Sequence, residues 1–543
     1  MGIRGRSTAV ALIAALVTAL ALVSCSSDGE TDASRAVTAF AEAMARQDTQ
    51  GAAEMTTSPS QAAEALGVTF AGMHAREVSV DTGRLVEYSD GSASFTLHTK
   101  WTWAGDHSFE TKTSGSARRL SAGWKVQWDP GLLYTGLTAD GRLQEIRTDA
   151  TPAPTVRSTS GKPFMQIEPV NQIIVDPAAT KNLDKTVRAV VDAVAPVAPM
   201  VTVKAVDDRL AAAQGQEIVA VTLRDPDMAM LTADPSRIAG VTVNKTGMLV
   251  MTDRRLSTPL SAGLTNYWNA IRDATAGWQV QMVVPGTPPQ KLAGRQDGPG
   301  PDVNTTIDQN EQLTLGDVAV EVAQPATIMT LDAGTGAILA MAQNDAAAKR
   351  KIDAGTAYPV GSTLDPVFGA IDAAGKGGDR GTAETVLHSL GLGVQFTAPG
   401  VSLPAGGAPK VTAAAYHPQD FTASMMNMAA LGVALERSAS GKDGAAPYVI
   451  KGTQTKIAGG QLGRLDDAVV RQIRASMTTT AKTGDASDLT GAPGLRALVG
   501  TNGPQGPGWF LGVQGGKVIV IYCEGDKSGT AALQVAQKYF KTK

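Results

Sequence analysis

The stretch Tyr358-Pro359-Val360-Gly361-Ser362-Thr363-Leu364-Asp365-Pro366 holds the residues best placed to do chemistry. A serine and a titratable residue three positions on share one face at a helix start. There a base can take the hydroxyl proton and make the serine a nucleophile. Here the residue in that position is Asp365. A carboxylate with an ordinary pKa near ~4 is a weak base for a serine. It also sets negative charge beside a developing oxyanion. Losing a positioned general base typically costs about 10²–10⁴ in rate. The same residues also read as a helix start, with Ser362 as cap, Asp365 in the first turn where the dipole favours it, and Pro366 tolerated there. Ser362 thus has two readings, nominal nucleophile or helix cap.

Little else in the chain offers chemistry. The five histidines, His74, His98, His107, His388 and His417, are scattered without ligand-like spacing, and no metal or cofactor is expected. Nothing resembles a phosphate-binding loop or a dinucleotide fingerprint. The net charge is -3 and no long basic block occurs, which argues against nucleic acid as a partner. There are two cysteines, Cys25 and Cys523. Arg4 and Arg6 precede the apolar run Ala9 to Val23, a signal-peptide pattern too short for a comfortable membrane span of about 20 residues. Leu22-Val23-Ser24-Cys25 follows and resembles the lipobox of bacterial lipoproteins. That resemblance implies a lipidated Cys25 as mature N-terminus and a body on the extracytoplasmic face of the cell membrane. Cys523 then has no partner, and its place after Val518-Ile519-Val520-Ile521-Tyr522 suits a buried thiol.

The elements that must position Ser362 come from a chain of 543 residues, enough for three or four domains at about 150 residues each. After the signal segment 1–25, residues 31–150 form a first unit. It reads as an amphipathic helix over Ala36 to Arg46 and strands over Glu77 to Val80, Arg84 to Tyr88, Ser92 to Trp103 and Gly123 to Asp129. Residues 151–300 open on the Pro/Thr-rich join Thr151 to Thr155 and mix strands with a helix over Asn182 to Val194. Lys245-Thr246-Gly247 reads as a turn between two of those strands. A Gly/Pro/Asp linker, Gly294 to Asp302, closes the unit. Residues 304–543 hold two apolar strands, Ala326 to Leu331 and Ala337 to Ala342, then Ser362, a helix over Leu465 to Met477, the strand Val518 to Tyr522 and a final helix from Thr530 to Tyr539.

Set in this order, several pieces resemble the class B penicillin-binding proteins, the peptidoglycan D,D-transpeptidases. Gly123-Trp124-Lys125-Val126-Gln127-Trp128-Asp129-Pro130 resembles the end of the small N-terminal domain, similar to nuclear transport factor 2 (NTF2-like), of one branch. Arg157, Gly161 and Lys162 loosely match the start of the family's pedestal, or dimerisation, domain. Thr306-Ile307-Asp308 through Gln312 matches the entry to its transpeptidase domain. Asp332 to Met341 matches its first hairpin, and Pro359 to Ser362 matches its nucleophile turn. The resemblance implies a multidomain α+β protein: an NTF2-like α+β cone, a mixed pedestal, and a serine β-lactamase-like α/β/α domain.

The family's acyl transfer uses three converging elements, and the resemblance carries over only in part. The first, Ser-x-x-Lys, keeps Ser362 but has Asp365 for the lysine. The second, a Ser-x-Asn turn, is not found after Ser362; Ser424-Met425-Met426-Asn427 has the wrong spacing and sits in what resembles a core helix. Gly375 to Gly381 looks like a short bridge across a deletion in the helical half, with the Gly-rich turn Leu390 to Gly393 soon after. The third, Lys-Thr-Gly on the strand beside the nucleophile, has a literal copy in Lys482-Thr483-Gly484, implied to hold a substrate carboxylate. The alternative for that strand is Thr501-Asn502-Gly503, after the apolar Leu495 to Val499.

Two functions from different classes follow. One is a catalytically impaired homologue that acts as a scaffold among cell-wall or division proteins. The other is a surviving serine D,D-transpeptidase that takes a peptidoglycan stem peptide, or a β-lactam, covalently on Ser362 with Lys482 supplying the base. A ligand-binding lipoprotein using its first domain is a third class.

Overall fold

The computed structural model describes residues 31–105, 107–401 and 420–542; the segment 1–25 read as a signal peptide, with Cys25, and His417 lie outside them. The first stretch carries helices α1 (Asp32–Ala45), α2 (Thr49–Glu54) and α3 (Pro59–Met73) and strands β1 (Glu77–Thr82), β2 (Val86–Glu87), β3 (Ser92–Thr102), β4 (Ser108–Leu120), β5 (Gly123–Val126) and β6 (Arg142–Thr148). Thr31 caps α1 by accepting from the Ser34 N–H, and Val37, Phe40, Ala41 and Met44 are its buried stripe. In β3 every second residue is buried, from Ala93 through Phe95, Leu97 and Thr99 to Trp101. Each such large apolar side chain contributes roughly 1.5–3 kcal/mol on burial. β3 pairs with β1 and β2 on one edge and along its whole length with β4 on the other.

The middle stretch carries β7 (Val156–Arg157), β8 (Pro163–Val175), α4 (Leu183–Val194), α5 (Val203–Ala212), β9 (Ile218–Arg224), α6 (Asp225–Met228), β10 (Val241–Met251) and α7 (Ser261–Ala274). β10 pairs antiparallel with β8 from Val241 to Met251. Lys245-Thr246-Gly247 therefore lies inside a strand and not in a turn. Lys245 donates to Asp225 at 2.7 Å, and Gly247 sits opposite Pro169. Next come β11 (Gly277–Val283) and β12 (Gln290–Arg295). They form a hairpin that pairs back onto β6, far behind in sequence.

The last stretch carries β13 (Val303–Asn304), α8 (Gln309–Ala319), β14 (Ala326–Asp332), β15 (Ile338–Gln343), α9 (Asp345–Lys349), β16 (Tyr358–Pro359), α10 (Asp365–Ala373), α11 (Arg380–Ser389), β17 (Gln395–Thr397), β18 (Thr422–Ala423), α12 (Met425–Ser438), β19 (Lys456–Ala458), α13 (Asp467–Lys482), β20 (Arg496–Thr501), β21 (Gly508–Gln514), β22 (Lys517–Cys523) and α14 (Ser528–Thr542). Five of these strands form one antiparallel sheet in the order β15-β14-β22-β21-β20. Its strands are apolar on both faces because both faces are covered. Ile328, Phe510, Ile519 and Ile521 pack with Val535 and Tyr539 of α14 and Leu315 of α8. Met329, Trp509, Val520 and Tyr522 pack with the other core, which includes α10, α12 and α13. α12 is apolar nearly all round, and Met425 to Leu435 are all buried.

The contacts divide the chain into two compact units. One is the described residues up to Thr148 together with Gly277–Arg295. The other is Asp149–Ala276 with the described residues from Gln296 onward. The hairpin 277–295, read from sequence as part of the 151–300 region, belongs with the first unit because β11 pairs with β6 and buries Val280 in that core. The remainder of 151–300 joins the last stretch: Val156, Phe164 and Trp268 share one apolar cluster with Met329 and Val360.

Candidate functional site

Ser362 sits where two strands and a helix converge in the second unit. β16 pairs with β18, and the Val360 N–H donates to the Phe421 carbonyl at 3.1 Å. The chain then makes a 3₁₀ turn, Gly361–Leu364, and enters α10 at Asp365. The turn lies directly against β20. Gly361 has φ +52°, and a Cβ there would fall 2.1 Å from the Thr501 carbonyl oxygen. Across the contact, a Cβ on Gly500 would fall 2.3 Å from the Thr363 nitrogen and 2.7 Å from Ser362 Oγ. Glycine on both sides is what lets the backbones meet.

This approach decides what the serine touches. The Thr501 N–H donates to Ser362 Oγ at 3.2 Å, and the hydroxyl points back at the Thr501 carbonyl at 3.3 Å. Both bonds are long, and both partners are backbone. A carbonyl accepts the hydroxyl hydrogen without removing the proton. Ser362 is exposed, yet its oxygen rests on the strand edge. It does not cap α10, whose N-cap is Leu364 with no side-chain cap bond. The helix-cap reading therefore falls, because the turn carries the serine one step before the helix and toward β20.

Asp365 is the first residue of α10 and makes no hydrogen bond to Ser362. Partial burial pushes its carboxyl above the usual carboxylate range. Beneath the turn lies an aromatic group. The Trp509 ring N–H donates to the Pro359 carbonyl at 3.0 Å. Tyr522 contacts Tyr358 at 4.4 Å and Trp509 at 4.6 Å between ring centroids. Burial and the nearby Asp353 carboxylate push the Tyr358 phenol up to about 12. Burial and a hydrogen bond to Glu524 push the Tyr522 phenol up as well. Both phenols stay protonated at neutral pH, so neither is a base for Ser362.

Lys482, Thr483 and Gly484 are elsewhere in the architecture. Lys482 is the exposed last residue of α13, and Thr483 is the C-cap. The N–H groups of Thr483 and Gly484 both donate to the Thr479 carbonyl. The expected strand at Lys-Thr-Gly is thus a helix end, which the same residues signal equally well: a cation in the last turn, then glycine. The strand beside Ser362 is β20, ending at Thr501, with Asn502 in the turn that follows. This is the alternative the apolar run Leu495 to Val499 had offered. Gly500 and Thr501 are the site residues that motif reading missed as primary. Their signal was a small residue closing an apolar strand.

Ser424 and Asn427 form a capping box at the start of α12. Asn427 also donates to the carbonyls of Gly391 and Val394 at 2.7 and 2.8 Å, tying the Gly-rich turn to the helix. Both residues are buried and structural. Cys523 is buried at the end of β22, and burial pushes its thiol up to about 12. Among the described residues no group of His, Cys, Asp and Glu side chains fits a metal, and no helix is long and apolar enough to cross a membrane.

With this geometry in view, sequence comparison adds one finding. Residues 32–141 match the NTF2-like N-terminal transpeptidase domain. The chain is therefore an α+β multidomain protein with an NTF2-like domain at its N-terminal end, of the type associated with transpeptidases. The match covers α1 to β5 and stops just short of β6. No curated protein matches the chain in sequence.

Proposed function

We propose that this protein is a cell-wall lipoprotein, a homologue of class B penicillin-binding proteins whose last domain keeps a transpeptidase-like scaffold without its catalysis. On this reading Cys25 carries the lipid and holds the body at the extracytoplasmic face of the cell membrane. The protein acts among cell-wall or division proteins in peptidoglycan synthesis. The NTF2-like domain supports the family context. The five-stranded sheet sandwiched by helices, with the Ser362 turn against its edge strand β20, supports the scaffold.

The observation that carries the loss of catalysis is the setting of Ser362. Among the described residues its hydroxyl engages only the backbone of Thr501. The residue one helical turn on is an aspartate, and the Lys-Thr-Gly copy ends a helix. Without a base, a serine hydroxyl is a poor nucleophile at neutral pH. The test is labelling with a fluorescent penicillin, comparing the wild type with Ser362→Ala. No serine-dependent band is expected from folded protein. Covalent labelling that disappears in Ser362→Ala would establish the opposite reading, an active serine D,D-transpeptidase.

A further inference from the structure

The second unit holds a cavity of about 670 Å³ built from three elements, and none of the residues that line it belongs to the Ser362 turn or to β20. Lys376, in the turn after α10, lines it. So do Thr382, Thr385 and Ser389 of α11, and Arg464, Asp466, Asp467 and Arg471 around the start of α13. Among the described residues no aromatic side chain lines it, so they offer no platform for stacking a base.

The charges sort themselves. Asp466 is spent internally: it caps α13 by accepting from the N–H groups of Ala468 and Val469, and it holds the Lys376 ammonium at 2.7 Å. Arg464 and Arg471 are exposed and have no hydrogen-bond or ion-pair partner among the described residues. Three cations against the carboxylates of Asp466 and Asp467 leave the lining with one net positive charge. The N-terminal end of a sixteen-residue helix adds to the positive potential. The hydroxyls face a different task. Thr382 donates to Asp379, Thr385 to the Gly381 carbonyl and Ser389 to the Val386 carbonyl. Their hydrogens are used, and their oxygens keep lone pairs that can accept from a ligand.

We propose that this cavity binds a small hydroxylated anion: a sugar bearing one carboxylate or phosphate, its charge held by Arg464 and Arg471 and its hydroxyls donating to the α11 side chains. Guanidinium groups suit both anions through paired N–H donors. The volume lies within the range of about 300–1,000 Å³ usual for small-molecule sites. The inference stands apart from the catalytic state of Ser362.

Calorimetric titration of the full chain near neutral pH tests it with three probes: N-acetylmuramic acid, N-acetylglucosamine 1-phosphate and neutral N-acetylglucosamine. At least one charged sugar is expected to bind with Kd below about 1 mM. The neutral sugar is expected to bind at least about tenfold more weakly. Which charged sugar binds distinguishes a carboxylate source from a phosphate source. The double variant Arg464→Gln/Arg471→Gln is expected to lose at least about tenfold in affinity with an unchanged melting temperature, because both side chains are exposed. Arg464→Lys/Arg471→Lys, which keeps the charge, should lose less. Three results would overturn the proposal: no heat from either charged sugar at about 10 mM, equal binding of the neutral sugar, or full affinity in the Gln double variant.

Discussion

At the scale of single residues, the question is whether Asp365 alone separates this serine from catalysis. The geometry says it does not. Ser362 Oγ rests on the Thr501 amide because Gly361 and Gly500 let the turn close onto β20. A lysine at position 365 would restore a cation one helical turn away. It would leave the hydroxyl on the backbone and Lys482 at the end of α13. Asp365→Lys is therefore expected to stay unlabelled by fluorescent penicillin while folding normally. Swapping the exposed Asp365 changes stability by less than about 1 kcal/mol. Serine-dependent labelling of that variant would mean that one side chain was the whole difference.

At the scale of elements, two helix starts carry consequences. Asn427 closes the capping box of α12 and holds two carbonyls of the Gly-rich turn from a buried position. Asn427→Ala leaves those carbonyls unpaired and the cap broken, so a loss of about 3 kcal/mol is expected in urea unfolding. At α13, the hydrogen bond from Lys376 and then the helix N–H groups hold the Asp466 carboxyl below its usual range. A carboxyl lowered in the folded state adds stability above its unfolded pKa near ~4. That contribution is lost as pH falls through the folded value. Asp466→Asn should therefore unfold with a shallower acid dependence than wild type below about pH 4. Parallel acid curves for the two proteins would refute the argument.

The same elements show what the sequence made legible. Periodicity revealed β3 and α4, because each buries one regular face, whereas the sheet strands showed as unbroken apolar runs and α12 through its resemblance to a core helix of the family. Lys482-Thr483-Gly484 misled because a helix end and a motif strand can share one tripeptide. Lys245-Thr246-Gly247 misled because glycine usually marks a turn, whereas here it faces Pro169 across a strand pair. The strand that meets Ser362 was legible only as the second choice, Thr501-Asn502-Gly503, since the contact with Thr501 spans 139 residues. No local pattern encodes a pairing at that range.

At the scale of the whole molecule, the longest-range pairing makes the sharpest claim. The first unit is discontinuous: β6 ends at Thr148, and its neighbour β11 begins at Gly277. These two residues are direct partners in the antiparallel register. The hairpin brings buried Val280 into the first core, with Trp278 packed against it. A fragment ending at residue 150 therefore lacks two strands and part of its core. Thr148 and Gly277 face each other, so a two-residue Asn-Gly turn can join them in place of everything between. Residues 31–148 linked through Asn-Gly to 277–295 should unfold cooperatively in urea. Residues 31–150 alone should unfold at clearly lower urea, or fail to show a transition, since losing Val280 alone removes about 1.5–3 kcal/mol of burial. Equal midpoints for the two chains would mean that the hairpin is an accessory to this domain and not part of it.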